Sequence, residues 1–147
     1  MPPEQPDALL EVRRSVRVPI AAGERLITRW DFRRVCELQA CHVLQPDLSH
    51  CGGLLEARKI ASMGETYLMG VAPHNPNGPV CTAAAIQIAA SIPNFVIMEE
   101  GNTNPKEYDQ IFTGGWKPNL AEWTVPEGPG LGVDLSPEFL KDHVVKV

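Results

Sequence analysis

The sequence has 147 residues, of which 44% are hydrophobic and 21% charged, and this is the composition of a globular domain rather than of a disordered chain. Its net charge of −5 and its scattered lysines and arginines exclude a basic stripe for nucleic acid or for an anionic membrane surface. The longest apolar stretch, 80–98, is interrupted by polar residues and a proline, and the N-terminus lacks the features of a signal peptide, so neither a membrane span nor secretion is predicted.

The predicted elements alternate between helices and strands along the first hundred residues. The helical segments place apolar residues on one face, as Phe32, Val35 and Leu38 do, and the strands are short apolar runs that end at turn residues. Thr28 is predicted to cap the second helix, with Asp31 as its capping-box partner. The predicted helices are 6–14, a segment that begins at Thr28, 54–63 and 79–90. The predicted strands are 16–22, 41–45, 67–71 and 95–98.

Successive strand and helix units of roughly 25 residues predict a parallel sheet with right-handed crossover connections, and therefore an α/β fold. From residue 101 onward, closely spaced glycines, prolines and tryptophans predict an extended, loop-rich tail in place of a fifth unit. The glycine-rich turn at 128–132 lacks the lysine and the following helix of a phosphate-binding loop. We therefore expect a β/α region over 1–100 and a tail over 101–147.

The four cysteines have neither CxxC spacing nor the density of a disulfide scaffold, so we expect reduced thiols in a cytoplasmic protein. A zinc site at His42, His50 and Cys51 is not favoured, because no second pair of ligands follows at the spacing of a zinc finger.

An ionisable residue follows each of the four predicted strands. These residues are Glu24, Asp47, His74 and Glu99, and they follow one another at intervals of 23, 27 and 25 residues, one β/α unit each. Because the carboxyl ends of neighbouring parallel strands meet at one rim, the four side chains are expected to lie side by side. A carboxylate beside an imidazole orients the ring, so Asp47 and His74 are a candidate general acid/base dyad. Glu24 is a candidate Mg²⁺ ligand, and Glu99 could bind substrate or a polarised oxygen.

Each of these residues also has a purely structural interpretation. Glu24 could cap the helix region that follows it, Asp47 could form an Asx turn after Pro46, and Glu99 could mark a strand that leaves the core. His74 could be a histidine in a rigid turn. Taken together, four ionisable residues at four successive strand ends favour a functional site over four independent structural roles.

The strand ends carry motifs that resemble those of a known family. The sequence resembles the enolase superfamily and, within it, the mandelate racemase-like subgroup, with most similarity to galactonate dehydratase and related acid-sugar dehydratases. The motifs are Pro19-Ile20-Ala21-Ala22-Gly23-Glu24, Gln45-Pro46-Asp47, Gly52-Gly53, Ala72-Pro73-His74-Asn75, and Pro93-Asn94-Phe95 leading to Glu99. The resemblance implies that 1–100 is the C-terminal half of a (β/α)7β TIM-like barrel of about four strands. It also implies that the tail resembles the segment that packs on a capping domain.

The resemblance implies a role for each residue of the row. Glu24 corresponds to the third carboxylate ligand of an essential Mg²⁺, Asp47 and His74 to the Asp-His dyad, and Glu99 to an acid that hydrogen-bonds a carboxylate or enolate oxygen of the substrate. The implied reaction is removal of the proton next to a carboxylate, with loss of water in a dehydratase. Racemases and cycloisomerases of the same superfamily share these residues, so they remain alternatives.

The sequence also departs from the family pattern. A capping domain, two further metal carboxylates and a base motif on earlier strands are expected in a complete member, and Met1 falls just after the expected second metal glutamate. We therefore expect this chain alone to be inactive towards a small acid-sugar substrate. It is expected to form a homo-oligomer or to pair with a complementing N-terminal half, because a partial barrel exposes a strand edge and apolar surface. The alternative is a truncated barrel that serves as a non-catalytic assembly or interaction module.

Overall fold

A computed structural model of the chain describes residues 5–101, 105–113, 118–119 and 122–143. Its first part alternates helices and short strands: α1 (Pro6–Ser15), β1 (Ala21–Ala22), α2 (Thr28–Glu37), β2 (Val43–Leu44), α3 (Gly53–Thr66), β3 (Gly70–Val71) and α4 (Pro79–Ser91). Its second part contains α5 (Pro105–Ile111), β4 (Phe112–Thr113), β5 (Pro118–Asn119), β6 (Glu122–Trp123), β7 (Asp134–Leu135) and α6 (Pro137–His143). Within these described residues, no helix is long and apolar enough to cross a membrane.

The first three strands form a parallel sheet in the order β1-β2-β3. Its parallel direction and alternating helices confirm the predicted α/β fold. The ladders are shorter than predicted: the predicted first strand, 16–22, contributes only its last two residues. Pro19 in this segment has no backbone N–H to donate, and the neighbouring Val18 is 62% exposed, so the ladder begins after them. The predicted fourth strand, 95–98, is reduced to one parallel bridge between Val71 and Phe95.

The four helices of the β/α region lie close to their predicted positions, but the start of α2 differs. Thr28 was expected to cap this helix, and instead Ile27 occupies the cap position without a side-chain hydrogen bond. Thr28 has a φ of 58° and lies inside the first turn. The capping-box partner does reach back, because Asp31 Oδ2 accepts a hydrogen bond of 2.9 Å from the backbone N–H of Ile27. The carboxylate therefore closes the first turn, and the Thr28 cap prediction is wrong.

The core lies between the sheet and helices α2 and α3. Its fully buried members include Phe32, Leu44, Ile60 and Val71. Close packing explains the glycine that follows β1: a Cβ on Gly23 would lie 2.7 Å from Cε1 of Phe32, and its φ of 136° is rarely adopted by other residues. The chain can therefore turn directly against α2 at the carboxyl end of β1.

The tail contains more regular structure than predicted, because α5 and α6 were not anticipated. Strands β4 and β7 pair antiparallel, as do β5 and β6. Tyr108 and Phe112 are buried in a second cluster with Ala83 and Ile86 of α4, so the tail packs on that helix. The turn predicted at 128–132 is present and is closed by a hydrogen bond of 3.0 Å from the N–H of Gly132 to the carbonyl of Pro129.

Candidate active site at the carboxyl ends of the strands

Asp47 and His74 lie in contact where β2 and β3 end. The two residues form a parallel bridge, and the N–H of His74 donates to the carbonyl of Pro46 at 3.2 Å. This backbone register brings Nδ1 of His74 to 2.9 Å from Oδ2 of Asp47. The structure therefore brings together the two residues that the sequence suggested as a dyad.

Asp47 is held as a buried carboxylate, since it is only 1% exposed. Its Oδ1 accepts the N–H of Ser49 at 2.7 Å, and its Oδ2 accepts from the side-chain amide of Asn77 at 2.9 Å as well as from His74. Burial raises the pKa of this carboxyl, but the hydrogen bonds from His74, Asn77 and Ser49 together outweigh burial and lower the pKa below its usual value of 3.8. Asp47 is therefore ionised at neutral pH and can act only as an acceptor.

The charge on Asp47 determines which nitrogen of the His74 ring carries the proton. Because an ionised carboxylate only accepts hydrogen bonds, the proton of a neutral imidazole is assigned to Nδ1. This leaves Nε2 available at the solvent side of the ring, where it lies 3.3 Å from Oε2 of Glu24 and 3.8 Å from Oε2 of Glu99. The His74 side chain is 18% exposed, whereas those of Glu24 and Glu99 are 51% and 45% exposed. The inner nitrogen is therefore fixed by a buried partner, and the outer one faces two accessible carboxylates.

Glu99 is positioned by the backbone of the His74 loop. Its Oε2 accepts the N–H of Asn75 at 3.0 Å, and its own N–H donates to the carbonyl of Pro73 at 3.3 Å. Asn75 is fully buried, and its side-chain amide donates to Oγ1 of Thr82 in α4 at 2.8 Å. The loop that carries His74 is thus fastened on one side to α4 and on the other to Glu99.

Two residues of this network, Ser49 and Asn77, were not identified from the sequence. Asn77 follows His74 by three positions in the same turn, so its proximity to the Asp47–His74 pair was a signal that the sequence contained. The Asn77 amide also lies 3.6 Å from Sγ of Cys81, which accepts from the Ser49 hydroxyl at 3.3 Å. One connected polar cluster next to His74 is thus formed by Asp47, Asn77, Ser49 and Cys81.

Glu24 alone does not make a magnesium site. Mg²⁺ requires near-octahedral oxygen coordination, and the described residues place one imidazole and the Glu99 carboxylate near Glu24. In the part of the chain that the structure describes, no group of three or more His, Cys, Asp or Glu side chains is arranged to hold a metal ion. The residues present in the described part of the chain therefore do not fit the ion by themselves.

The three residues of the disfavoured zinc site lie in different surroundings. Nδ1 of His42 accepts the backbone N–H of Ile20 at 2.9 Å, at the amino end of the sheet. Burial raises the pKa of the Cys51 thiol to about 11, so at neutral pH it is not the thiolate that a metal ion requires. His50 is exposed beside the Asp47 turn.

The arrangement at the carboxyl end can transfer protons. One imidazole nitrogen is fixed by a buried carboxylate, and the other reaches a solvent-accessible mouth with two further carboxylates beside it. Such a geometry is suited to general acid/base chemistry at Nε2 of His74.

Comparison with known proteins places the chain in a family. The family model described as enolase C-terminal domain-like matches residues 1–139. The D-xylonate dehydratase of Haloferax volcanii is 34% identical, with 99% of this chain and 35% of the relative covered. The D-galactonate dehydratase of Variovorax paradoxus is 36% identical, with 92% and 37% covered.

A solved structure gives the same result in three dimensions. A mandelate racemase/muconate lactonizing enzyme from Sulfitobacter sp. is 38% identical and superposes with a TM-score of 0.88 over 97% of this chain and 36% of that protein. The chain thus spans little more than a third of the length of the proteins that it matches. Together with the parallel sheet and its alternating helices, these matches show that the chain belongs to the enolase superfamily, as the C-terminal half of a barrel of the mandelate racemase-like type.

Proposed function

We propose that this chain forms the C-terminal part of a Mg²⁺-dependent acid-sugar dehydratase, which removes the proton next to a carboxylate and eliminates water. The observation that supports this proposal most directly is the contact between Nδ1 of His74 and the buried, ionised Asp47. Two curated relatives are named as D-xylonate and D-galactonate dehydratases, so the proposed substrate class is a polyhydroxylated sugar acid.

In the proposed reaction, Nε2 of His74 exchanges a proton with the substrate. As a base it takes the hydrogen next to the carboxylate, and as an acid it gives a proton to the leaving hydroxyl, which departs as water. The electron pair of the broken C–H bond forms the double bond of an enol. Asp47 keeps the ring in one tautomer throughout, and Glu99, when protonated, would hydrogen-bond a carboxylate or enolate oxygen.

We further propose that Glu24 would supply one of several oxygen ligands to Mg²⁺ in a complete site; the ion, when bound, would stabilise negative charge on the substrate oxygens. A single exposed carboxylate replaces only one water of the hydrated ion, so the remaining protein ligands would come from outside this chain. The 147-residue chain by itself is therefore expected to be inactive.

The proposal can be tested in a chimaera. The matching segment of the Variovorax D-galactonate dehydratase is replaced by this chain, and formation of the dehydration product from D-galactonate is followed. Loss of one general acid/base group costs about 10²- to 10⁴-fold in rate, so His74→Ala should lower kcat by that factor. His143→Ala, which removes an exposed histidine at the end of α6, is the matched control and should leave kcat within about twofold.

A chimaera that folds and stays active after His74→Ala would contradict the acid/base role. Conversion of the sugar acid to an isomer, with no loss of water, would favour the racemase or cycloisomerase alternative.

The same open half-barrel motivates a proposal about partners. Strand β1 has a neighbour on one side only among the described residues, and Val96 and Ile97 beyond the β3 bridge are 57% and 65% exposed. We propose that these edges are covered by a second copy of the chain or by a complementing N-terminal half. Light scattering should give a mass above that of the monomer; a monodisperse monomer that binds no apolar dye would exclude the self-association.

The alternative function, a non-catalytic assembly module, also requires that a partner covers these edges. If the chain is an assembly module, His74→Ala leaves its biological effect unchanged. If the chain is part of a dehydratase, His74→Ala abolishes that effect.

A further inference from the structure

A second concave site lies at the amino end of the sheet, away from the carboxyl-end row. Its volume is about 460 Å³, and it is bounded by the end of α1, the segment that leads into β1, the end of α2 and His42. Arg13, Arg14 and Arg17 line it, and no Asp or Glu does among the residues that the structure describes. The cavity therefore has a strongly positive lining in a protein with a net charge of −5.

The protonation of His42 can be deduced from its backbone contact. The N–H of Ile20 donates to Nδ1 of His42 at 2.9 Å, and a backbone amide cannot accept in return, so Nδ1 is unprotonated. Nε–H of Arg13 points at Nε2 of the same ring at 3.3 Å, so both ring nitrogens face a donor. A neutral imidazole accepts at one nitrogen only, and because the contact to Nδ1 is the shorter, the ring proton is assigned to Nε2.

Two donors thus face each other across the contact between Arg13 and His42. The guanidinium of Arg13 already donates through Nη1 to the carbonyl of Gln39, which fixes its plane. The Nε2–H of His42 has no acceptor among the described residues. A negatively charged oxygen in the cavity beside this contact would accept from both groups, which replaces an unfavourable donor–donor contact with two charge-assisted hydrogen bonds.

The other two arginines are available to the same ligand. Arg14 contacts Glu11 at 3.2 Å, but the two side chains are 67% and 73% exposed, so this pair has little stability of its own. Arg17 is exposed and forms no hydrogen bond or ion pair with another described residue.

We propose that this cavity is an oxyanion-binding site, which takes the phosphate or carboxylate group of a small molecule. His42 Nε2 and Arg13 form its inner wall, and Arg14 and Arg17 close over the anion from the rim. The guanidinium groups suit both anions, since each presents paired N–H donors to two oxygens. This site is separate from the proposed dehydratase centre and does not depend on it.

The test is a titration of the 147-residue chain with inorganic phosphate, and in a second arm with malonate, at constant ionic strength adjusted with sodium chloride. Long-range ¹H–¹⁵N spectra should show His42 as the Nε2–H tautomer, and its Nε2 resonance should shift and saturate, with a dissociation constant below about 10 mM for at least one of the two anions. Tighter binding of phosphate would identify a phosphorylated ligand, and tighter binding of malonate a carboxylate.

The variant R14A/R17A should weaken anion binding about tenfold or more, because two charge-assisted contacts are lost. R58A/K141A removes two exposed positive charges elsewhere and is the matched control, expected to change the dissociation constant less than about twofold. An Nδ1–H tautomer, a linear response without saturation, or equal weakening in the two variants would overturn the proposal.

Discussion

The two ends of the parallel sheet each place a histidine at the centre of a polar cluster, and the surroundings of the two rings are opposite. At the carboxyl end, His74 is surrounded by acceptors, the carboxylates of Asp47, Glu24 and Glu99. At the amino end, His42 is surrounded by donors, the N–H of Ile20 and the guanidinium of Arg13. The buried carboxylate of Asp47 holds a proton on the inner nitrogen of His74, whereas the N–H of Ile20 leaves the proton of a neutral His42 ring on the outer nitrogen.

This difference shows that residue type alone does not assign a role to a histidine. The outer nitrogen of His74 faces two carboxylates and solvent, so a proton can be taken up and given back there. The ring of His42 presents an N–H and can only offer one. The same side chain is therefore suited to proton transfer at one end of the sheet and to anion recognition at the other.

The largest effect is expected from removing the anchor of the carboxyl-end cluster. Asp47→Ala removes the buried acceptor shared by His74, Asn77 and Ser49, three donors that are partly exposed or exposed, so the free energy of unfolding should fall by about 2–3 kcal/mol. Urea unfolding followed by circular dichroism measures the change. Glu99→Gln is the control, because its side-chain oxygen can still accept the Asn75 N–H, and it should change the free energy by less than about 0.5 kcal/mol. A loss below about 1 kcal/mol in Asp47→Ala would mean that the cluster is not stabilising.

A smaller effect is expected at the amino end. His42→Ala removes the acceptor of the Ile20 N–H, and the free energy of unfolding should fall by about 1–2 kcal/mol. His50→Ala is the matched control on an exposed histidine without this bond and should lie within about 0.5 kcal/mol of the parent. Equal effects of the two substitutions in urea unfolding would show that the Ile20–His42 contact does not form.

The stability of the carboxyl-end cluster should depend on pH through Asp47. The pKa of Asp47 is lower in the folded chain than its usual value of 3.8, so the folded state favours the ionised form. The stability that this provides is present above the unfolded-state pKa and is lost as the pH falls through the folded-state value. Urea midpoints measured from pH 6 down to pH 3 should therefore fall more steeply for the parent than for Asp47→Asn. Parallel curves would show that Asp47 does not contribute to the acid sensitivity.

The smallest effect concerns backbone strain at the amino end. Gln39 and Leu68 follow α2 and α3 with φ of 49° and 59°, in the left-handed region. Leu68 is also 95% exposed, so it loses no packing on substitution. Leu68→Gly should therefore raise the free energy of unfolding by about 0.5 kcal/mol, whereas Leu68→Ala keeps the strain and should give no gain. Thermal unfolding of the pair measures the difference, and a loss in the glycine variant would show that the strain is absent.

Sequence periodicity predicted the four helices of the β/α region and the order of the strand ends, because apolar faces and turn residues are local signals. Spacing also predicted which ionisable side chains would lie at one rim. Spacing did not predict the role of Ser49, because its backbone N–H makes the contact with Asp47, and any residue type at this position has that N–H. The helix over Pro105–Ile111 was missed because the surrounding glycines and prolines indicate loops, whereas its burial depends on Tyr108 packing against α4.

The different burial of the four cysteines has a practical consequence for experiments on this chain. Cys36, Cys41 and Cys51 are buried, and burial raises the pKa of each thiol to about 11 or 12, so they react slowly at neutral pH. Cys81 is partly exposed and lies one side chain away from Asp47, through Asn77. A fluorophore or spin label attached to this chain would therefore be directed to the one cysteine that adjoins the dyad, and its signal would report on the surroundings of His74 without any engineered residue.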